Sequence, residues 1–143
     1  FSEGPPEEAI VADRAVLPLA DQGYANGRAF VHRLDDIGRR HGVAAVCADH
    51  HDYPMFADPT ADFVYARLQK GTDETPTCYP PADLDAWGER FKTYAAGDVP
   101  GDLNLIAKDK PATKEPRDVF AFFISGGKVN APKGAIELKK RID

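Results

Sequence analysis

Val43-Ala44-Ala45-Val46-Cys47-Ala48-Asp49 is the stretch that decides the fold. Six apolar residues follow one another without alternation, and the first polar residue is postponed to the end. A strand solvated on one face would alternate; this run reads as a strand buried on both faces, the kind found in parallel sheets under helices. Two further runs read the same way. Phe63-Val64-Tyr65-Ala66-Arg67-Leu68 is rich in β-formers and carries its one charge late, and Val119-Phe120-Ala121-Phe122-Phe123-Ile124 is the most hydrophobic run in the chain.

Helical patterns lie around these strands. From Arg28 to His41, the residues Phe30, Leu34, Ile37 and His41 fall on one face, and Asp35 and Asp36 precede Arg39 and Arg40 by four residues. Gly42 supplies the stop. Pro80-Pro81-Ala82-Asp83-Leu84 is a strong helix start. Leu84, Trp87, Phe91 and Tyr94 then recur at helical spacing until Gly97, which assigns Trp87 and Tyr94 to the core rather than to a stacking platform. A final helix is predicted from Pro132, closing with Lys139, Lys140 and Arg141, whose charges suit a helix C-terminus.

The connecting segments carry weaker patterns. Asp98 to Pro116 reads mostly as loop, with Leu103-Asn104-Leu105-Ile106 as a short candidate strand. Residues 1–27 are rich in Gly and Pro, and their helix-like stretch Glu7 to Leu17 is interrupted by Pro18. They are expected to form a loosely organised segment ahead of a domain over 28–143. The order helix, strand, strand, helix, strand, helix with apolar strands predicts an α/β fold with a mainly parallel sheet.

At 143 residues with 43% hydrophobic content, the chain can build one core. Its net charge of −5 is spread along the sequence, which supports solubility and offers no general attraction to phosphate backbones; a nucleic-acid partner would need a local basic patch. No apolar run approaches the roughly 20 residues of a bilayer span, and the N-terminus lacks the features of a signal peptide, so the expected setting is cytoplasmic, away from membranes. Cys47 and Cys78 form neither a CxxC pair nor a zinc pattern and are expected to be free thiols.

Several stretches taken together carry a family resemblance. These are His41-Gly42-Val43-Ala44-Ala45-Val46 running into Ala48-Asp49, then Thr60-Ala61-Asp62-Phe63-Val64-Tyr65-Ala66-Arg67-Leu68, then Tyr79-Pro80-Pro81 with Leu84-Asp85-Ala86-Trp87. Arg117-Asp118-Val119-Phe120-Ala121-Phe122-Phe123-Ile124 with Gly127-Lys128 and Ala131-Pro132 completes the set. Over residues 28–143 the sequence resembles the C-terminal part of the domain of unknown function 72 (YecE-like) family. The resemblance implies a (β/α)8 TIM barrel, of which this chain would supply about the last three strands. The Glu-x-Arg-His strand motif that such proteins usually carry ahead of the region matching Phe30 to Gly42 has no counterpart in Gly27-Arg28-Ala29-Phe30-Val31-His32-Arg33.

Three parallel strands cannot close on themselves, so an apolar inner face and a sheet edge need cover. The expected cover is another copy, a companion chain, or the N-terminal segment.

In such folds the site lies at the C-terminal ends of the strands. Asp49 and Arg67 are the candidate catalytic pair. Asp49 can act as a base or metal ligand, or can cap a loop or pair with Arg; Arg67 can fork onto a carboxylate or phosphate, or can hold Asp49 across neighbouring strands. Ser125-Gly126-Gly127-Lys128 is a Gly-rich turn before a helix, where backbone N–H groups hold anions, although two glycines after a strand also make an ordinary tight turn. Tyr79 sits in a loop by the strand ends and is a candidate pocket residue. His50 and His51 beside Asp49 and Asp52 lack a full ligand set at strand or helical spacing and read as a polar loop; no metal site is assigned and any cofactor is left unknown.

Three functional classes follow. The first is an uncharacterised barrel protein with an anion-binding or hydrolytic site at the strand ends for a small anionic ligand. The second, by fold analogy, is a metal-dependent endonuclease or phosphoesterase. The third is a non-catalytic assembly or binding module.

Overall fold

The computed structural model describes residues 16–17, 27–110 and 112–143. Strand β1 (Val16–Leu17) is followed by helix α1 (Gly27–His41), strands β2 (Ala44–Asp49) and β3 (Phe63–Leu68), helix α2 (Pro81–Ala95), strand β4 (Asp118–Phe123) and helix α3 (Gly127–Ile142). The strands lie side by side in the order β1-β2-β3-β4, and every neighbouring pair is parallel. The three six-residue strands are those expected from their unbroken apolar runs, each within one residue at either end. The sheet is open: among the described residues β4 pairs on one side only.

Register fixes which side chains share a face. Cys47, Ala66 and Ala121 are aligned across the three strands, as are Asp49, Leu68 and Phe123 one layer further on. This face meets the helices. Val64, Ala66 and Leu68 are buried with Leu84, Trp87, Phe91 and Tyr94 of α2 and Leu138 of α3, and Val119, Ala121 and Phe123 pack against them. At the other end of the layer Ala45 joins Val31 of α1 and Phe56, with Leu34 alongside. Trp87 and Tyr94 are thus core, as their spacing predicts.

The opposite face carries the alternate residues: Val46, Tyr65 and Phe120 in one layer, Ala48, Arg67 and Phe122 in the next. Phe122 (43%) and Ile124 (46%) are exposed on this side, whereas Val46 and Ala48 of β2 are buried.

Three expectations need correction. Of the helix-like stretch Glu7 to Leu17, only Val16–Leu17 is described, and it is a strand; the rest of the loosely organised N-terminal segment lies outside the described residues. Leu103 to Ile106 forms no strand, because the backbone N–H groups of Ile106 and Ala107 donate to the two carboxylate oxygens of Asp58 (2.7 and 2.9 Å) instead of to a ladder. The last helix starts at Gly127, not at Pro132, and Pro132 lies inside it. Gly126 at its N-cap takes a left-handed φ of 96°, which lets the chain turn directly from the strand into the helix.

No helix separates β2 from β3. Residues 50–62 cross over as irregular chain with Phe56, Ala57, Asp58, Pro59 and Thr60 buried, so each polar group there needs a partner. Thr60 Oγ1 donates to the Val43 carbonyl (2.6 Å) and accepts from Ala45 N (2.9 Å), clasping the start of β2. Tyr94 donates its hydroxyl to the Ala57 carbonyl at 2.6 Å.

Helix α1 has one feature its sequence pattern disguises. Asp35, four residues before Arg39, is fully buried; Oδ2 accepts from Arg39 Nε at 2.9 Å while Oδ1 has no hydrogen-bond partner among the described residues. Burial raises the Asp35 pKa above its ordinary value, with the Arg39 hydrogen bond opposing. A raised folded-state pKa means that the favourable contribution is complete below the unfolded value and is lost as pH rises through the folded one. Asp35→Asn is therefore expected to raise the Tm at pH 7, with the gain vanishing in thermal unfolding at pH below about 3.8, the ordinary aspartate value. A lower Tm at pH 7 would show that the Arg39 bond outweighs the burial.

Candidate functional site

The C-terminal ends of β2, β3 and β4 converge with the turn into α2, and the sequence places polar residues there after each apolar run. Asp49 ends β2 on the helix-facing side and is buried. Its Oδ2 accepts from the Tyr79 hydroxyl at 2.9 Å and from Trp87 Nε1 at 3.3 Å, and its Oδ1 faces Lys70 Nζ at 3.3 Å. Tyr79 in turn accepts from the Lys70 backbone N–H at 2.8 Å, and Gln69 N donates to the Asp49 carbonyl at 3.0 Å. Burial pushes the Tyr79 phenol well above its usual value, so it remains a proton donor to the carboxylate.

Both Asp49 oxygens are thus engaged by the protein's own donors. The arrangement joins the strand end to the loop before α2 and to α2 itself. Chemically it can hold a negative charge in place; of its members only Lys70 is substantially exposed, at 41% of its side chain.

Arg67 stands elsewhere. It pairs in register with Ala48 and Phe122, which puts it on the inner face, opposite to Asp49. The expected bridge between Asp49 and Arg67 across neighbouring strands is therefore absent, because adjacent positions along a strand point to opposite faces and the register offsets these two by one. Lys70, not Arg67, provides the cation for Asp49. Arg67 Nε is buried without an acceptor among the described residues.

Ser125-Gly126-Gly127-Lys128 forms the corner between β4 and α3. Ser125 Oγ donates to the Gln69 carbonyl (2.9 Å), and the Ser125 carbonyl accepts from Cys78 Sγ (3.0 Å). A Cβ on Gly127 would lie 2.9 Å from Asp73 Oδ1, so the protein's own carboxylate approaches this helix start, where Asn130 Nδ2 also donates to the Asp73 carbonyl (2.6 Å). Lys128 is exposed on the first turn of α3. The corner is closely packed: a Cβ on Gly126 would come within 2.6 Å of Cys78 Sγ, and one on Gly134 within 3.0 Å of Cys78 Cβ. Cys78 itself has φ 67°.

Both cysteines are free and buried. Burial pushes the Cys47 thiol up to about 12 and also raises Cys78, which keeps both as unreactive thiols in the folded chain. His50 Nδ1 accepts from Asp52 N at 3.0 Å and its ring stacks on Tyr53 at 4.2 Å. Among the described residues no group of three His, Cys, Asp or Glu is placed to hold a metal ion, and no helix is long and apolar enough to cross a membrane.

Lys70 and Trp87 are the members of the Asp49 cluster that the sequence reading did not assign to it. The usable signal was indirect: a carboxylate at the end of an apolar strand must find donors, and an indole on the sheet-facing side of the next helix has one to give.

A parallel sheet with its described helices on one face, an inner face exposed along β4 and its polar groups gathered beyond the strand ends defines an α/β protein with part of a barrel's architecture. The chain belongs to the family described as Protein of unknown function DUF72, whose model matches residues 22–143. No curated protein and no solved structure gives a significant match.

Proposed function

We propose that the protein binds a small anionic ligand at the strand ends, on the inner face of the sheet, with Arg67 as the anchor. The observation that carries this reading is the Arg67 side chain, whose Nε is buried with no acceptor among the described residues. An unmatched buried donor on a charged group costs about 1–3 kcal/mol, and a carboxylate or phosphate that takes the Nε edge removes that cost. Ser125 to Lys128 turn into α3 on the helix-covered face, beside Asp73, and are not part of this inner-face site. Asp49 positions this end of the sheet through Tyr79, Trp87 and Lys70 and does not share the face on which the anion sits.

Titration with inorganic phosphate and with acetate, followed by NMR of the arginine side-chain N–H groups, tests the reading. Arg67 Nε–H is expected to shift with saturation. Arg67→Lys, which keeps the charge but loses the fork, is expected to weaken binding by about tenfold. Unchanged Arg67 resonances at saturating concentrations of both anions would remove the reading.

A second reading, a non-catalytic assembly module, is favoured by strand β4, which pairs on one side only among the described residues and places Phe122 and Ile124 at the surface. An open edge beside exposed apolar side chains is a template for pairing with another chain. Sedimentation velocity over a wide concentration range separates the two: reversible self-association supports assembly, and a monomer throughout, with a shift at Arg67, leaves the anion site.

A further inference from the structure

We infer that the ligand at Arg67 is an amphipathic carboxylate: an organic acid whose apolar body lies on Tyr65, Phe122 and Ile124 while its carboxylate takes the guanidinium. This rests on the reading of Arg67 as an anion anchor and adds the class of ligand.

The argument begins from strand alternation. Positions 65 and 67 of β3 and 120 and 122 of β4 share the inner face, with Arg67 opposite Phe122. The Tyr65 and Phe122 rings meet at 5.0 Å between centroids, tilted by 32°, and so form one continuous aromatic surface below the guanidinium. Phe122 is 43% exposed and Ile124 46% exposed, while Tyr65 is half-buried. The strand end therefore offers one cationic fork next to an apolar shelf.

The carboxylates nearby are directed elsewhere. Asp49 faces the helices and is held by Tyr79, Trp87 and Lys70. Asp118 aligns with Phe63 at the opposite end of the strands. Among the described residues no acceptor meets Arg67 Nε.

An inorganic anion would satisfy the arginine and leave the aromatic shelf in water. A sugar phosphate would set hydroxyl groups against rings that offer them nothing but the Tyr65 hydroxyl. A carboxylate on an aliphatic or aromatic body matches both halves: two parallel N–H···O bonds at the fork and apolar contact on the rings. Because the Nε edge faces inward, capture turns the guanidinium, and ligand binding is accompanied by a change of the Arg67 side-chain conformation.

A homologous series of acetate, butyrate, hexanoate and octanoate, titrated by calorimetry and by NMR of the Arg67 side chain, tests the inference. Each methylene that reaches the shelf is expected to tighten binding up to about fourfold. Phe122→Ala and, separately, Ile124→Ser are expected to flatten that dependence while acetate binding stays as it is; circular dichroism checks that each variant is folded. Arg67→Met, which keeps an apolar stem, is expected to abolish the preference for hexanoate over hexanol.

The outcomes are distinguishable. Acetate binding at Arg67 with no gain along the series overturns the amphipathic class and leaves the anion site intact. Hexanol binding as tightly as hexanoate in the unaltered protein overturns the anchor role and with it this inference. Absence of any response at Arg67 overturns both. A length dependence that disappears in the Phe122 or Ile124 variant, together with discrimination against hexanol that disappears in Arg67→Met, bears it out.

Discussion

Replacing Asp49 with alanine is expected to lower the free energy of unfolding by about 3 kcal/mol, the largest effect of any single polar substitution at the strand ends. The carboxylate is the common acceptor of the Tyr79 hydroxyl and the Trp87 indole, both in residues only 2% exposed. Its removal strands two buried donors and leaves Lys70 without its partner. Asp49→Asn keeps the shape and one acceptor oxygen and should recover part of the loss. Urea unfolding monitored through Trp87 fluorescence measures both, since the chain has a single tryptophan. A loss below about 1 kcal/mol for the alanine variant would show that relaxation or water satisfies these donors, as surface substitutions normally allow.

The second large effect is expected at Asp58. Its two oxygens accept from the backbone N–H groups of Ile106 and Ala107, and Arg39 approaches Oδ2 at 3.6 Å. The carboxylate is 3% exposed and does for the segment around Ile106 what a neighbouring strand would otherwise do. Asp58→Ala is expected to cost about 2–3 kcal/mol, because Ala107 is itself buried and water reaches its N–H poorly. Hydrogen exchange adds a local readout: the amides of Ile106 and Ala107 should exchange markedly faster in the variant, whereas those of β2 and β3 should change only with global stability. Retained protection at both amides would show that another acceptor replaces the carboxylate.

These two aspartates show where the sequence is legible. Strands β2, β3 and β4 were readable because each is a run of apolar β-formers with at most one charge; burial on both faces holds for β2 alone, whereas β4, at the sheet edge, leaves Phe120 and Phe122 exposed. Helix α2 was readable from Leu84, Trp87, Phe91 and Tyr94, and the parallel arrangement followed from the alternation of helices and strands. The pairing of Asp49 with Tyr79, Trp87 and Lys70 was not, because it depends on which face of the sheet each side chain takes. Asp49 and Arg67 are both late in their strands, and sequence position alone makes them neighbours; a register one residue out of phase puts the sheet between them.

Asp58 and Thr60 were hidden for a different reason. They lie in a stretch with no periodicity, and their roles come from long-range bonds to backbone at Ile106, Ala107, Val43 and Ala45. The burial of Asp35 was not legible because an i,i+4 pair with Arg39 is the ordinary signature of a solvated helix face. The pair exists, but the helix turns Asp35 towards the protein interior together with Val31 and Gly38. The start of α3 at Gly127 was missed because Pro132 is a better helix-start signal than two glycines, yet the left-handed turn at Gly126 is what the strand-to-helix corner requires.

That corner sets a limit on how the sequence can drift. Side-chain growth at Gly126 or Gly134 runs into the Cys78 sulfur or its Cβ, and Cys78 occupies a backbone conformation that larger residues resist. A smaller residue at 78 rescues neither glycine, since the left-handed φ of 96° holds at Gly126 whatever its neighbour and the Thr77 carbonyl (2.7 Å) and Phe123 ring (2.9 Å) still confront a Cβ at Gly134, so that replacements at these positions are filtered out one by one.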